Sequence, residues 1–378
     1  MIMQFQEIAA ALGAENYPAA LEEYYFKRTA LPLDFSLLGS YAAEAEEAYQ
    51  RLRPVQRAWQ ETVSCFLQEN EQERMREFPT PESDGTLAGD YLPLLILLPL
   101  IPSALERYRT RGFSEEQVQN IAESFQECIE LTARRTGRRG YTRGYFNWQY
   151  LYIRGVLFPF GSFNYELKRL DEAAFILQNR TTRELMPLMA EGRFHAQGMH
   201  LGVPGFEAEE GAFSVDFSED EQFFYGYPVK SGRVVNQKTA FSKEEWRIAL
   251  RPGDETVSVH IPARTDLSRE AVQKSYRDGF AHIEKYFPHF KPKAYYCASW
   301  LMEPMLRTLL GDCRITQFME DYVKYPHQSN GKEVLNFIFP GFHGPYEELP
   351  ENTRLERELK KIYVGGGHIY AYRGVFLP

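Results

Sequence analysis

Cysteine is scarce in this 378-residue chain: there are four, Cys65, Cys128, Cys297 and Cys313, with no CxxC spacing between any two. That excludes a disulfide framework and a thiolate zinc knuckle, and it suits a reducing compartment, so a cytoplasmic location is expected. Tryptophan is equally sparse, and the eight histidines are scattered with no HExxH or paired HxH among them, so no metal site is expected. No GxSxG elbow or P-loop occurs. The longest apolar run, Tyr91–Ile101, is too short for a bilayer core and contains Pro93 and Pro99; it reads as a buried helix or a pair of short ones, with no membrane partner implied. Positive charge is also in deficit, 43 Lys+Arg against 52 Asp+Glu for a net charge of −9, which argues against a globally basic nucleic-acid binder. What the chain has in excess is aromatic side chains, 27 Phe and 24 Tyr, which excludes intrinsic disorder.

The chain changes texture near Gly155. Before it, helical spacing dominates. Ala45, Ala48, Tyr49, Leu52, Val55, Trp59, Val63 and Phe66 recur at three- and four-residue steps, as do Val118, Ile121, Ala122, Phe125, Cys128, Ile129 and Thr132. Ser114 followed by Gln117 is a capping-box start for the second of these helices. Phe78–Gly89 reads as a loop. After Gly155 the pattern predicts strands over 156–170, 193–202, 222–230, 246–250 and 256–261, then a helix from Ser268 to about Phe287. A strand over 293–301, a short helix near 304–310, a long strand over 313–325, a helix over 353–359 and a hairpin around Gly365-Gly366-Gly367 complete the reading. Mixed strands with interspersed helices make this half a helix-covered sheet. The expected division is a helical domain at 1–152 and a sheet domain at 153–378.

Two features could carry chemistry. Arg134, Arg135, Arg138 and Arg139 form the densest positive stretch; it fits either a phosphate-binding site or the basic end of a helix. His260 ends the strand Val257-Ser258-Val259-His260, where a sheet delivers side chains to a substrate crevice; a hydrogen-bonded core histidine fits the same position. The aromatic-rich segments Tyr141–Tyr165 and Phe223–Tyr227 are expected to wall a cleft between the two halves.

The segments VSVHIPARTDLSREAVQKSYRDGFAHIEKYFP (257–288), AYYCASWLMEPML (294–306) and RITQF (314–318) resemble a bacterial family of acyltransferase domain-containing proteins. So do RGYFNWQYLYIRGVLFPFGSFNYEL (143–167) and LPENTRLERELKKIYVGGG (349–367). Proteins of that family join a helical N-acyltransferase N-terminal domain to a GNAT-like C-terminal domain. The resemblance implies an α/β fold whose C-terminal half is a mixed, largely antiparallel sheet flanked by helices. It implies transfer of an acetyl or acyl group from acetyl-CoA or a longer acyl-CoA to a small-molecule or peptide amine, by direct attack on the thioester. By position, Pro262, Ala263, Arg264 and Ser268 would hold the CoA pyrophosphate. His260, Ser299 and Trp300 would stand at the reacting centre, with Cys297 and Glu303 as weaker candidates. Arg264–Arg269 contains no glycine, unlike the Arg/Gln-x-x-Gly-x-Gly/Ala signature of that fold, and Asp266 adds a negative charge. A non-catalytic module that binds an acyl-CoA or a peptide is therefore the second expectation. Acceptor identity, acyl length and oligomeric state are not encoded in any feature above.

Overall fold

A computed structural model describes residues 34–51, 86–262 and 265–378. The expected helical positions Leu52–Phe66, the start of the 78–89 loop, Cys65, Ala263 and Arg264 lie outside the described residues. The chain divides into two compact units, Met1–Phe158 and Pro159–Pro378.

In the first unit the described helices are α1 (Ala42–Arg51), α2 (Leu87–Leu97), α3 (Ile101–Thr110), α4 (Glu115–Thr136) and α5 (Arg143–Ile153). The apolar run around Tyr91 becomes α2, a 3-10 turn at Leu98–Leu100 and α3. Pro93 is carried inside α2, while Pro99 stands in the first turn of the 3-10 segment, a position proline favours. Helix α4 begins where the capping box places it: the Ser114 hydroxyl accepts from Gln117 N, and the Gln117 side chain accepts from Ser114 N. It buries Val118, Ile121, Phe125, Cys128, Ile129 and Thr132, the stripe read from the sequence.

Among the described residues the strands run from β1 (Leu157–Phe160), which spans the unit boundary, onward. Next come β2 (Phe163–Arg169), β3 (Ala174–Asn179), β4 (Leu185–Met189), β5 (Arg193–Phe194), β6 (Phe213–Ser214) and β7 (Ser218–Glu219). Then follow β8 (Phe223–Lys230), β9 (Arg233–Val234), β10 (Thr239–Ser242), β11 (Trp246–Leu250), β12 (Glu255–His260), β13 (Ala294–Ser299), β14 (Val323–Pro326) and β15 (Tyr372–Phe376). One sheet has six strands in the order β1-β2-β12-β13-β15-β14. β12 and β13 pair in parallel, joined by the crossover helix α6 (Arg269–Tyr286). Strands β3, β4, β8, β10 and β11, with β7 and β9 on β8, make a seven-stranded antiparallel sheet.

The two sheets share a core in which Tyr296, Tyr325, Ala294 and Val375 meet Ile176, Met189, Val234 and Leu250. On the opposite face of the six-stranded sheet, α6 seats on a cluster of rings. Tyr276 lies 4.6 Å from Tyr295 and 5.5 Å from both Phe163 and Phe376, and Phe163 contacts Phe318. Much of the aromatic excess is thus spent on packing: Phe163 and Tyr165 belong to this cluster, while Phe224 packs with Leu177, Leu188 and Phe241.

Three expectations are corrected. The long strand over 313–325 is a helix, α8 (Arg314–Glu320), followed by β14; α7 (Met305–Leu310) precedes it. Thr316 makes the helical start, since its hydroxyl accepts from Cys313 N. The Gly365-Gly366-Gly367 stretch is no hairpin. It ends α10 (Arg354–Val364), the helix after the short α9 (Glu333–Ile338). Gly366 N donates to Tyr363 O and Gly367 N to Ile362 O, the paired bonds of a Schellman stop, with Gly366 at φ +77°. Of the strand over 193–202, only Arg193 and Phe194 are strand residues, with an isolated bridge from Phe194 to His200.

Candidate active site

The opening in the six-stranded sheet follows from its register. β12 and β13 pair only over Thr256–Ser258 against Ala294–Tyr296. Yet β12 stays paired with β2 as far as His260↔Asn164, and β13 with β15 as far as Ser299↔Tyr372. The two parallel strands therefore part at their C-terminal ends while each remains held from its outer side. Backbone groups that would have bridged the pair face the gap, and Ala298, in mid-strand, is exposed. The loop after β12 leads straight into α6, so a helix N-terminus stands at the same end of the sheet.

His260 sits at the lip of this gap. Its Nε2 lies 2.9 Å from Oε2 of Glu166, a residue the sequence reading did not single out. The two are diagonal neighbours across the antiparallel β2–β12 pair, which puts them on one face of the sheet. Their side chains are 32% and 18% exposed, so the pair is partly desolvated yet reachable. Burial alone would raise the Glu166 carboxyl. The hydrogen bond and charge of His260, with Lys168, outweigh it and hold Glu166 below its ordinary value. A carboxylate held against one imidazole nitrogen fixes the orientation of the His260 ring at the lip of the gap.

Ser299 ends β13 on the other side of the gap. Its Oγ accepts from Leu301 N at 3.1 Å, which leaves the hydroxyl proton for another acceptor. Strand alternation sends Ser299 to the α6 face, with Tyr295, and His260 to the opposite face, with Ser258. The two thus flank the gap from opposite faces. Trp300 is only 8% exposed and opens the 3-10 turn Trp300–Met302. Cys297 is buried, and burial pushes its thiol up to about 12, so it supplies no thiolate at neutral pH. Glu303 is 3% exposed and accepts from Tyr370 N and Met305 N.

The loop expected to hold a pyrophosphate is built differently from a glycine cradle. Pro262 is exposed, and its carbonyl accepts from Thr265 N and Oγ1. The Asp266 carboxylate accepts from Ser268 N at 2.9 Å and from the Ser268 hydroxyl at 3.0 Å; those bonds, with Arg314 beside it, hold its pKa down. Ser268 is the N-cap of α6 but makes no side-chain cap bond, so its hydroxyl does not occupy the helix N-terminus. Arg314 Nη1 lies 3.3 Å from Asp266, and Arg269 Nη1 lies 3.7 Å from Asp321. Both guanidiniums are largely exposed, one on α6 and one on α8. The Arg134–Arg139 stretch is the end of α4, engaged within the helical unit: Arg138 meets Asp90, Arg139 meets Glu44, and Arg134 meets Glu130. Among the described residues no cluster of metal-ligating side chains occurs, and no helix is long and apolar enough to cross a membrane.

Comparison with known proteins adds to this geometry. The model of the GNAT-like C-terminal domain matches residues 157–376, and that of the N-acyltransferase N-terminal domain matches residues 19–155. No curated protein matches the chain. Three similar solved structures are an acyltransferase with decanoyl-CoA (18% identity, TM-score 0.65), an acyltransferase mutant with octanoyl-CoA (16%, 0.66) and an acyltransferase with decanoyl-CoA and teicoplanin (17%, 0.63). Each likeness covers 99% of both chains, and at this identity it speaks for the fold.

Proposed function

The chain belongs to the family of the GNAT-like C-terminal domain, whose model covers more than half of it, and from that premise we propose that it is an acyl-CoA-dependent N-acyltransferase. The helical domain would be 1–152 and the catalytic domain 153–378. The observation that carries the reading is the parting of β12 from β13 beside the start of α6. A cleft between splayed strands admits a slender thioester arm, while a helix N-terminus with exposed Arg269 and Arg314 beside it suits the pyrophosphate. Pro262, Ala263, Arg264 and Ser268 would line that end.

In the reaction, the neutral amine attacks the thioester carbonyl; a C–N bond forms and the C–S bond breaks. His260 accepts the proton shed by the amine nitrogen, and Glu166 holds the ring and offsets the charge it gains. Ser299 donates to the leaving thiolate from the other side of the gap, and Trp300 forms a fixed apolar wall. The relatives solved with teicoplanin motivate an amine on a small molecule or peptide as acceptor.

A thermal-shift series with acetyl-CoA and decanoyl-CoA tests the binding half of this reading. A ligand at a hundred times its Kd adds about 2.7 kcal/mol of stability. A clear rise in melting temperature is expected with at least one ester, and no rise with either would refute it. The absence of a glycine cradle around Asp266 favours one second reading, an acyl-CoA- or peptide-binding module without turnover; that protein would show the rise but release no thiol.

A further inference from the structure

On the face of the six-stranded sheet turned away from α6, the register sets two rows of residues across the parted strands. In the inner row Glu166 stands opposite Ser258, Ser258 beside Tyr296, and Tyr296 opposite Val375. That row is closed at its centre: Ser258, Tyr296 and Val375 are all buried. In the outer row Asn164 stands opposite His260, and Ala298 opposite Arg373. Since β12 and β13 last pair at Ser258↔Tyr296, His260 and Ala298, each two residues further on, face one another across the gap. Ala298 is exposed although β15 is bonded along its other side. Its methyl is the smallest side chain in the row and lies between the longer His260 and Arg373. The outer row therefore has a low, open floor at Ala298, directly beside the His260 ring.

The charges around that floor are already matched. His260 Nε2 lies 2.9 Å from Glu166 Oε2 on one side. On the other, Arg373 Nε lies 2.7 Å from Glu172 Oε1, with the two side chains 18% and 20% exposed. That Glu172 oxygen also accepts from the Tyr296 hydroxyl at 3.0 Å, and Arg373 Nη2 lies 3.0 Å from His327 Nε2. A carboxylate or a cation brought onto the floor would give up water without meeting a free counter-charge, a cost that a neutral polar group escapes. Asn164, across from His260, adds an amide that can both donate and accept.

We propose that Ala298 is the floor of the acceptor seat and sets its specificity, admitting an amine carried on an uncharged polar body in preference to one that bears a carboxylate or a second cation. The proposal rests on the acyltransferase reading for the amine's role, and its test separates the two. Thiol release from decanoyl-CoA is followed with glycylglycinamide, glycylglycine and glycylargininamide, whose terminal amines are similar and whose far ends are neutral, anionic and cationic. The wild-type protein is expected to favour the neutral amide by about tenfold or more in kcat/KM over both charged peptides. Side chains that fill the floor should act by size: Ala298→Val raises the KM for glycylglycinamide about threefold and Ala298→Leu at least about tenfold, with the thermal shift on decanoyl-CoA retained in both. A merely structural role would not grade the amine KM while sparing the ester. Equal or better use of either charged peptide by the wild type would overturn the proposal. So would an unchanged amine KM in Ala298→Leu, or a folded Ala298→Leu that no longer binds decanoyl-CoA, which would place Ala298 on the thioester arm instead. Should none of the three be acylated, the acyltransferase reading fails for them and equilibrium binding decides the seat: binding of glycylglycinamide that is lost in Ala298→Leu supports it, and no binding overturns it. If Ala298→Leu does not fold, Ala298→Val gives the same readings at the smaller size.

Discussion

Replacing Gly279 by alanine adds one methyl where helix and sheet meet most closely. A Cβ at this position on α6 would stand 2.4 Å from Cε2 of Tyr165 on β2. Carbon contacts settle near 3.5–4.0 Å, so the ring or the helix must move by more than about 1 Å. Neither is free to. Tyr165 is fully buried, its hydroxyl lies 2.7 Å from Ser275 Oγ, and that same Oγ donates to Phe160 O and accepts from Ser162 N. The ring is also flanked by Tyr295 at 5.7 Å and Phe163 at 6.1 Å. Overpacking of this kind costs about 1–3 kcal/mol, and a disturbed hydrogen bond adds about 1 kcal/mol. Against this, alanine gains about 1 kcal/mol over glycine in a helix interior. The net loss is about 2 kcal/mol, a fall of about 4–8 °C in melting temperature for a unit this size. Thermal unfolding followed by near-ultraviolet circular dichroism, which reads the packed tyrosines, measures it. An unchanged or higher midpoint for Gly279→Ala would refute the claim that α6 is seated against β2 through this glycine.

The remaining predictions concern titrating groups. Burial pushes the Cys128 thiol up to about 11 and the Cys297 thiol up to about 12. In native protein at about pH 8, well below both, iodoacetamide should therefore modify the partly exposed Cys313 before either of these two; peptide mapping reads the order. Glu166 is held below its ordinary value in the folded state. It thus contributes stability that is present above the ordinary carboxylate range and is lost as pH falls through the folded value. Glu166→Gln should be less stable at neutral pH, with a shallower loss of stability between about pH 5 and 3 in urea titrations. An identical acid slope would show that the His260 pairing is not formed.

Where local chemistry decides structure, the sequence could be read closely. The Ser114–Gln117 capping box starts α4, Trp246–Leu250 is β11 residue for residue, and the order strand, loop, helix, strand at 256–301 is the parallel crossover. The readings fail where short segments obey two periods at once. Cys313–Met319 carries β-branched and aromatic residues that suit a strand, but Thr316 caps it as a helix and Phe318 and Met319 go inside. Three glycines signal a turn without saying what they end, and here they stop α10. Glu166 was out of reach for another reason. It looks like an exposed strand carboxylate until the β2–β12 register sets it diagonally from His260, 94 positions further along the chain. The same register sends Ser299 to the opposite face, which residue type alone does not reveal.

The proposed acyl transfer turns on His260 acting on an acyl-CoA at the parted ends of β12 and β13. The most direct measurement is amine-dependent thiol release from decanoyl-CoA by the wild-type protein and by His260→Ala, with decanoyl-CoA binding followed in parallel. Loss of a positioned base costs about 10²–10⁴-fold, so release should fall at least a hundredfold in the variant while binding persists. Turnover undiminished in His260→Ala, or no release by the wild type across a broad amine panel, would contradict it.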